Sequence, residues 1–134
     1  FSMKIALILF TSVGLACNSV HDLLPASTAL EAAREFLEAS KAGKFEKASF
    51  YMLQDDENSK LLKQSKEKYY SFSNKDKKQL LDASLQNITI ENISPTEVIV
   101  YYNNSFDKQR RKVKAVNTNN TWLIDYKYTF NPNL

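Results

Sequence analysis

Cysteine and histidine, the side chains that most often bind metals or act as nucleophile and base, each occur once, as Cys17 and His21. A single Cys cannot form an internal disulfide, a cysteine-rich zinc site or a Cys-x-x-Cys redox pair. His21 lies in a polar stretch near the amino terminus, which predicts a solvated side chain. The residue types therefore predict no metal site and no histidine-based catalysis.

The acidic residues and the glycines offer no stronger motif. A phosphate-binding loop needs several glycines, and the chain has two. The acidic run 55–57 lacks the alternation of a calcium loop and suits the start of a helix instead. Asp125 alternates with Trp122 and Ile124, which predicts that its carboxylate points away from any pocket, paired with Lys127 on the same outward face. We therefore expect no catalytic residue and no cofactor.

Length and composition indicate one folded domain. The chain has 134 residues, 43% of them hydrophobic and 25% charged, which is typical of a globular protein. The formal net charge of +3 is too small to imply binding to nucleic acid, and no such partner is expected.

The amino terminus has the pattern of a secretory signal peptide. Lys4 is followed by residues 5–16, which carry no charge and end in small residues. A membrane-spanning helix needs about 20 apolar residues, so this run is too short to cross a bilayer. Residues 1–16 are therefore predicted to be a signal peptide.

The end of this run resembles a bacterial lipobox. Gly14-Leu15-Ala16 precedes Cys17, and the resemblance implies acylation of Cys17 and a protein anchored through lipid to the cell envelope, facing the periplasm. Gly14 departs from the motif, which usually has Leu there. The alternative is an ordinary secreted protein cut near Ala16. Residues 17–27 are polar and predict a flexible tether between the lipidated Cys and the domain.

Helices occupy the first half of the remaining chain. Thr28-x-x-Glu31 is a capping box, and apolar residues then recur at helical spacing until Gly43, which predicts a helix over about 28–42. Shorter helices are predicted around Phe45 to Met52, after the acidic run 55–57, and after Ser73-x-x-Asp76.

In the second half of the chain, apolar and polar residues alternate with a period of two. Four segments, beginning at Leu85, Glu97, Arg110 and Trp122, are joined by turn residues and predict an antiparallel meander. Helices followed by strands indicate an α+β fold, with N-terminal helices packed on a curved four-stranded antiparallel sheet. In the last segment we expect four residues to face the first helix: Trp122, Ile124, Tyr126 and Tyr128.

Three short motifs connect the chain to a known family. The stretches at 32–37 (AAREFL), 41–48 (KAGKFEKA) and 121–125 (TWLID) resemble small bacterial lipoproteins of unknown function that carry a nuclear transport factor 2-like, or cystatin-like, domain. The resemblance covers about residues 28–130. It implies a cone of helices over a bent sheet, often with an apolar pocket and often dimeric, and it implies no particular reaction.

Seven tyrosines are the least usual feature of the composition. Amphipathic rings suit the mouth of a pocket for a small apolar ligand, and the ligand-binding candidates are Tyr51, Tyr102, Trp122 and Tyr126. The alternative is that these residues are ordinary core and rim aromatics.

Apolar residues are also predicted on the sheet face away from the helices. Ile99, Tyr101 and Leu123 fall there, and together they would form a patch that a second subunit could cover. A homodimer through this outer face is therefore a possible partner arrangement.

Three function classes follow from the sequence. The first is a lipid-anchored envelope protein whose domain binds a small ligand or a protein without catalysis. The second is a small isomerase or dehydratase on the same fold, which needs an inward carboxyl group of raised pKa. The third is an accessory subunit of an envelope complex, which predicts a filled interior and an apolar outer sheet face.

Overall fold

Residues 22–133 are described in the computed structural model, and they form a helical layer packed on one antiparallel sheet. Within this range the helices are α1 (Ala29–Lys41), α2 (Phe45–Phe50), α3 (Asp56–Ser71), α4 (Asn74–Asp82) and α5 (Lys127–Phe130). The strands are β1 (Leu85–Ser94), β2 (Glu97–Asn104), β3 (Arg110–Thr118) and β4 (Thr121–Asp125). The predicted α+β fold with helices on a four-stranded antiparallel sheet is confirmed.

Helix α1 begins at a variant of the capping box, in which the carboxylate contact reaches the residue before the N-cap. The Glu31 N–H donates to Thr28 Oγ1 at 3.1 Å. The Glu31 carboxylate accepts from the N–H and the hydroxyl of Ser27, at 3.0 and 2.9 Å, instead of from the N–H of Thr28. The helix ends before Gly43, whose φ of 72° is readily available only to glycine.

The sheet has the order β1-β2-β3-β4, with every neighbouring pair antiparallel. Val100 pairs with Val113 and Ala115 pairs with Ile124, so these side chains share the face that α1 covers. All four are buried, and together with Phe36 of α1 they form the centre of the hydrophobic core.

The segment just before α1 belongs to the domain, which differs from the predicted tether. Ala26 is buried and pairs with Trp122, whose N–H donates to the Ala26 carbonyl at 3.1 Å. The Tyr51 hydroxyl donates to the carbonyl of Leu24 at 2.8 Å. A backbone bridge therefore holds residue 26 and a side-chain hydrogen bond holds residue 24, while residues 17–21 of the predicted tether lie outside the described range.

Strand β4 ends earlier than the alternation predicts. Tyr126 has helical dihedral angles (φ −65°, ψ −31°) and precedes α5. The backbone N–H of Lys127 donates to Asn58 Oδ1 at 2.7 Å instead of to β3. The predicted facing is therefore wrong for Tyr128, whose ring lies near the ammonium groups of Lys112 and Lys114.

The outer face of the sheet lacks the apolar patch that the sequence predicts. Ile99 is only 3% exposed within the single chain. Its cross-strand neighbours are Glu91 and Lys114, and the stems of such long charged side chains can shield an apolar residue while their heads stay in water. Tyr101 and Leu123 are half-buried. A homodimer through this face stays a prediction.

A buried amide ties the helical layer to the end of the sheet. Asn58 of α3 is completely buried. Its Nδ2 donates to the Leu53 carbonyl at 3.1 Å and to Asp125 Oδ1 at 3.0 Å, and its Oδ1 accepts from the Lys127 backbone. The Lys127 ammonium completes the cluster with Asp125 at 2.6 Å and Asp55 at 2.9 Å. The predicted pair of Asp125 and Lys127 is present, but the side chain of Asp125 is only 13% exposed and bonds to Asn58, so the pair is not on the outward strand face that the alternation predicts.

Replacing Asn58 with alanine should destabilise the fold strongly. The variant leaves the buried Leu53 carbonyl and Lys127 N–H without their partner, which should lower the free energy of unfolding by about 3 kcal/mol. Urea unfolding followed by Trp122 fluorescence measures the change. The control Asn92→Ala, at an exposed position of β1, should change it by less than about 0.5 kcal/mol. Equal stabilities of the two variants would contradict the assigned role.

Candidate functional site

A cavity of about 530 Å³ lies between the helical layer and the sheet. Helices α1, α3 and α4 form one side of it, β2 and β3 form the other, and α5 lies at its edge. Its volume falls in the range of small-molecule sites, about 300–1,000 Å³. Several polar groups converge on it, among them the side chains of Tyr102, Tyr126 and Arg111.

The lining is mostly apolar and rich in aromatic rings. Phe36 contacts Tyr126 with ring centroids 5.1 Å apart, and Tyr126 contacts Phe130 at 5.0 Å. A second aromatic group forms where Tyr69 contacts Phe45 at 5.6 Å. The other apolar side chains of the lining are Leu37, Phe72, Leu80, Leu85, Phe106 and Val113.

The rim of the cavity exposes two aromatic side chains. Phe106, in the loop between β2 and β3, and Phe130 of α5 both line the cavity, and each remains about half exposed. Exposed phenylalanines at the mouth of an apolar cavity offer a surface that a ligand can cover.

Tyr102 supplies a hydroxyl group at the open part of the cavity. The residue as a whole is only 6% exposed, but its hydroxyl bonds to no other side chain or backbone group of residues 22–133 and is not among the buried polar atoms that lack a partner, so it is in contact with solvent. The charged and phenolic groups that influence it electrostatically, Arg111, Tyr126 and Asp107, all line the same cavity, so the hydroxyl faces the cavity interior. Burial raises the pKa of Tyr102 to about 12, which keeps this phenol protonated and able to donate near neutral pH.

Tyr126 supplies a second hydroxyl, which is already engaged. Its oxygen lies 2.6 Å from Ser65 Oγ of α3. Burial raises the pKa of Tyr126, and the hydrogen bond with Ser65 partly opposes this effect. The contact joins the residue after β4 to α3 and holds the ring against Phe36.

An ion pair closes one side of the cavity. Arg111 of β3 donates through both terminal nitrogens to the carboxylate of Asp107, with one contact of 2.7 Å. These hydrogen bonds hold the pKa of Asp107 at about 2, below its ordinary value of 3.8. Lys41 also contributes to the lining, but its ammonium reaches out to the exposed Glu38 carboxylate at 3.0 Å, so mainly its stem faces the interior.

Two of the four predicted ligand-binding residues line this cavity and two do not. Tyr102 and Tyr126 lie in it, whereas Tyr51 and Trp122 contact the segment before α1, at Leu24 and Ala26. The role of Tyr51 and Trp122 in ligand binding stays a prediction, and these two residues do not line the cavity that contains Tyr102 and Tyr126. Cys17, the predicted lipid-attachment residue, lies outside the described residues.

The sequence analysis missed Arg111 and its partner Asp107. The alternation in β3 already contained the signal, because Arg111 shares a strand face with Val113 and Ala115, the apolar residues of that segment. The register confirms this placement, since Arg111 pairs directly with Tyr102. Phe106 and Phe130 lie in a loop and in a short helix, where no periodicity marks them.

Comparison with known proteins yields no relative. No family model, no curated protein and no solved structure matches this chain. Among the described helices, none combines the length and hydropathy that crossing a bilayer requires. Within residues 22–133, no three acidic, histidine or cysteine side chains come close enough together to hold a metal ion.

Acid should disrupt the Arg111–Asp107 pair in a defined pH range. Because the pKa of Asp107 is lower in the folded chain than in the unfolded one, the pair adds stability above about pH 4, and this contribution is lost as the pH falls to about 2. Carboxyl NMR titration should place the Asp107 midpoint near 2, and in Arg111→Gln it should move up towards the ordinary value. The control Lys78→Gln, which breaks an exposed pair with Asp82, should leave the Asp107 titration unchanged. A midpoint that is the same in wild type and Arg111→Gln would refute this account of the ion pair.

Proposed function

We propose that this protein is a lipid-anchored envelope protein whose domain binds a small amphipathic organic molecule without converting it. The ligand has an apolar body and a hydrogen-bond acceptor at one end. The domain is a nuclear transport factor 2-like cone, a proposal supported by the sequence motifs and by the order of helices followed by a meander.

The unpartnered hydroxyl of Tyr102 is the observation that carries the proposal. No buried side-chain oxygen or nitrogen of the described residues lacks a hydrogen-bond partner, so the Tyr102 hydroxyl, which bonds to no protein group, is in contact with solvent in the cavity and can donate to a ligand instead of to water. Here the hydroxyl faces an aromatic cavity that a small molecule can enter. A carbonyl, ether or hydroxyl oxygen of a ligand would satisfy it.

The two aromatic groups define the shape of the ligand. One group is built on Phe36 and Tyr126, the other on Tyr69 and Phe45. A flat or elongated apolar body lying between them would bury its faces against rings, an arrangement that favours offset and edge contacts.

Of the cationic side chains of the lining, Arg111 is paired with Asp107, Lys41 is paired with Glu38, and Lys68 is exposed to solvent. A neutral acceptor is therefore expected on the ligand.

The two acidic residues that line the cavity, Asp76 and Asp107, do not support the alternative of an isomerase or dehydratase. Such an enzyme uses a carboxyl group whose pKa has moved up towards neutrality. The pKa of Asp107 moves in the opposite direction, and the other acidic residue of the lining, Asp76, is exposed on α4. The accessory-subunit alternative gains no support either, because the cavity is open and the outer sheet face is largely charged.

The anchoring part of the proposal rests on the amino-terminal sequence. An uncharged run of a dozen residues after Lys4, ending at Cys17, supports export and acylation. Two or three acyl chains give stable membrane attachment where one alone gives only marginal binding. The domain would then work at a membrane surface on the periplasmic side.

Ligand binding is testable with Nile red, a neutral fluorescent dye that has an aromatic body and a carbonyl acceptor. Tyr102→Phe removes only the hydroxyl and should weaken binding by roughly 2- to 10-fold, the cost of one hydrogen bond. The control is Tyr101→Phe, the neighbouring residue on the opposite sheet face. Equal affinities of the wild type and Tyr102→Phe would exclude the proposed contact. Native mass spectrometry of protein isolated from its own envelope would identify a retained ligand.

Acylation of Cys17 is testable by metabolic labelling with an alkyne analogue of palmitate. The wild type should incorporate the label, and Cys17→Ser should incorporate none, because the thiol is the point of attachment. Absence of label from the wild type would exclude the anchor and leave the ligand-binding proposal untouched.

A further inference from the structure

We propose that the surface beside the start of the described chain docks on a bilayer that contains anionic phospholipid. We call this surface the amino-terminal face and define it by Leu23, Lys44, Lys66 and Tyr70, which line one hollow, together with Leu24, the residue that follows Leu23 in the chain. The inference extends the proposed lipid anchor and is independent of the ligand in the cavity.

Two apolar side chains on this face are unusually exposed. Among the large hydrophobic residues of the described range, Leu24 is the most exposed, at 77%, and Tyr70 follows at 59%. Leu23 and Tyr70 line one shallow hollow between the start of the chain, α2 and α3. A leucine and a tyrosine that stay in water in the isolated domain suit the headgroup region of a membrane, where amphipathic rings are enriched.

The same hollow concentrates positive charge. Lys44, Lys47 and Lys66 line it, with Glu46 as its one acidic residue. Lys47 is paired with Glu35 at 2.9 Å, whereas Lys44 and Lys66 form no ion pair with any residue in the range 22–133.

A further lysine borders Tyr70. The ammonium of Lys77 on α4 lies 5.5 Å from the centroid of the Tyr70 ring. The exposed ring is therefore surrounded by lysines. Anionic headgroups attract lysines that lie close to the membrane surface, and this attraction adds to the insertion of apolar side chains.

The length of chain before Leu23 points to a membrane as the partner. Five residues lie between Cys17 and Leu23, and the six steps from one Cα to the next span at most about 20 Å in any conformation. An acylated Cys17 therefore holds this face within reach of lipid headgroups. The acylated Cys17 and the basic patch would act on the same membrane surface.

The test is lysine footprinting of the mature protein on vesicles. The protein is mixed with vesicles of phosphatidylcholine alone or of equal parts phosphatidylglycerol and phosphatidylcholine, isolated by flotation, acetylated briefly and analysed by mass spectrometry. Lys44 and Lys66 should react at least about threefold more slowly on the anionic vesicles than on the neutral ones. Lys108 and Lys112, in the loop after β2 and on the outer face, are internal controls and should react equally on both.

Two variants test whether the protection comes from contact of this face with the bilayer or only from closeness of the whole domain to the vesicle. Tyr70→Ser should reduce the protection of Lys44 and Lys66, whereas Ile93→Ser, which alters an exposed apolar residue of β1, should leave it unchanged. Equal unfolding midpoints in urea would show that both variants are folded.

The outcomes separate this inference from the proposed function. Flotation with equal reactivity of all four lysines overturns docking and leaves the anchor intact. Failure to float even with anionic vesicles overturns both the anchor and the docking face. Nile red binding by the wild type without vesicles tests the cavity on its own, because it does not depend on whether the adjoining face, which shares Phe45 with the cavity, contacts a membrane.

Discussion

The architecture depends on one buried amide, that of Asn58. A fully buried polar side chain is tolerated only when its donors and acceptors are matched, and here they are matched by groups from three places in the chain. The loop before α3 supplies the Leu53 carbonyl, the end of β4 supplies Asp125, and the start of α5 supplies the Lys127 N–H. The amide therefore fixes how the third helix sits against the last strand.

The position of the cavity follows from this junction. Because the Lys127 backbone bonds to Asn58, the chain leaves the sheet at Tyr126 and turns into α5. The turn places the Tyr126 ring against Phe36 and its hydroxyl against Ser65. If the strand had continued, Tyr126 could still have faced inward, but Phe130 would not lie at the cavity rim.

Alternation and capping residues were sufficient to predict most of the secondary structure. The capping residues Thr28 and Ser73 and the acids at 55–57 mark helix starts that the structure confirms, because capping is local chemistry. The end of β4 was not predictable in this way, because it is set by a partner 69 residues away in the sequence. The buried state of Ile99 escaped prediction for the same reason, since its shielding depends on neighbours in β1 and β3.

The candidate site was only partly accessible from sequence. Tyr102 and Tyr126 were selected for their residue type, and the structure brings them into one cavity, while Tyr51 and Trp122 have the same chemistry and lie elsewhere. Periodicity assigns a residue to a face of a strand but does not say which part of that face a helix leaves uncovered. For Arg111 the alternation of β3 indicates the inner face, but a charged side chain is not expected there. The ion pair with Asp107 explains its position, and the sequence alone does not indicate that pair.

Helix α4 differs from α1 in one respect that bears on how a molecule enters the cavity. It contributes Asp76 and Leu80 to the cavity wall, yet none of its residues is buried. Segments that bury little apolar surface open at a small fraction of the free energy of global unfolding. We therefore expect this wall to open more readily than the part of the domain packed around Phe36, so that access to the cavity would not require the domain to unfold.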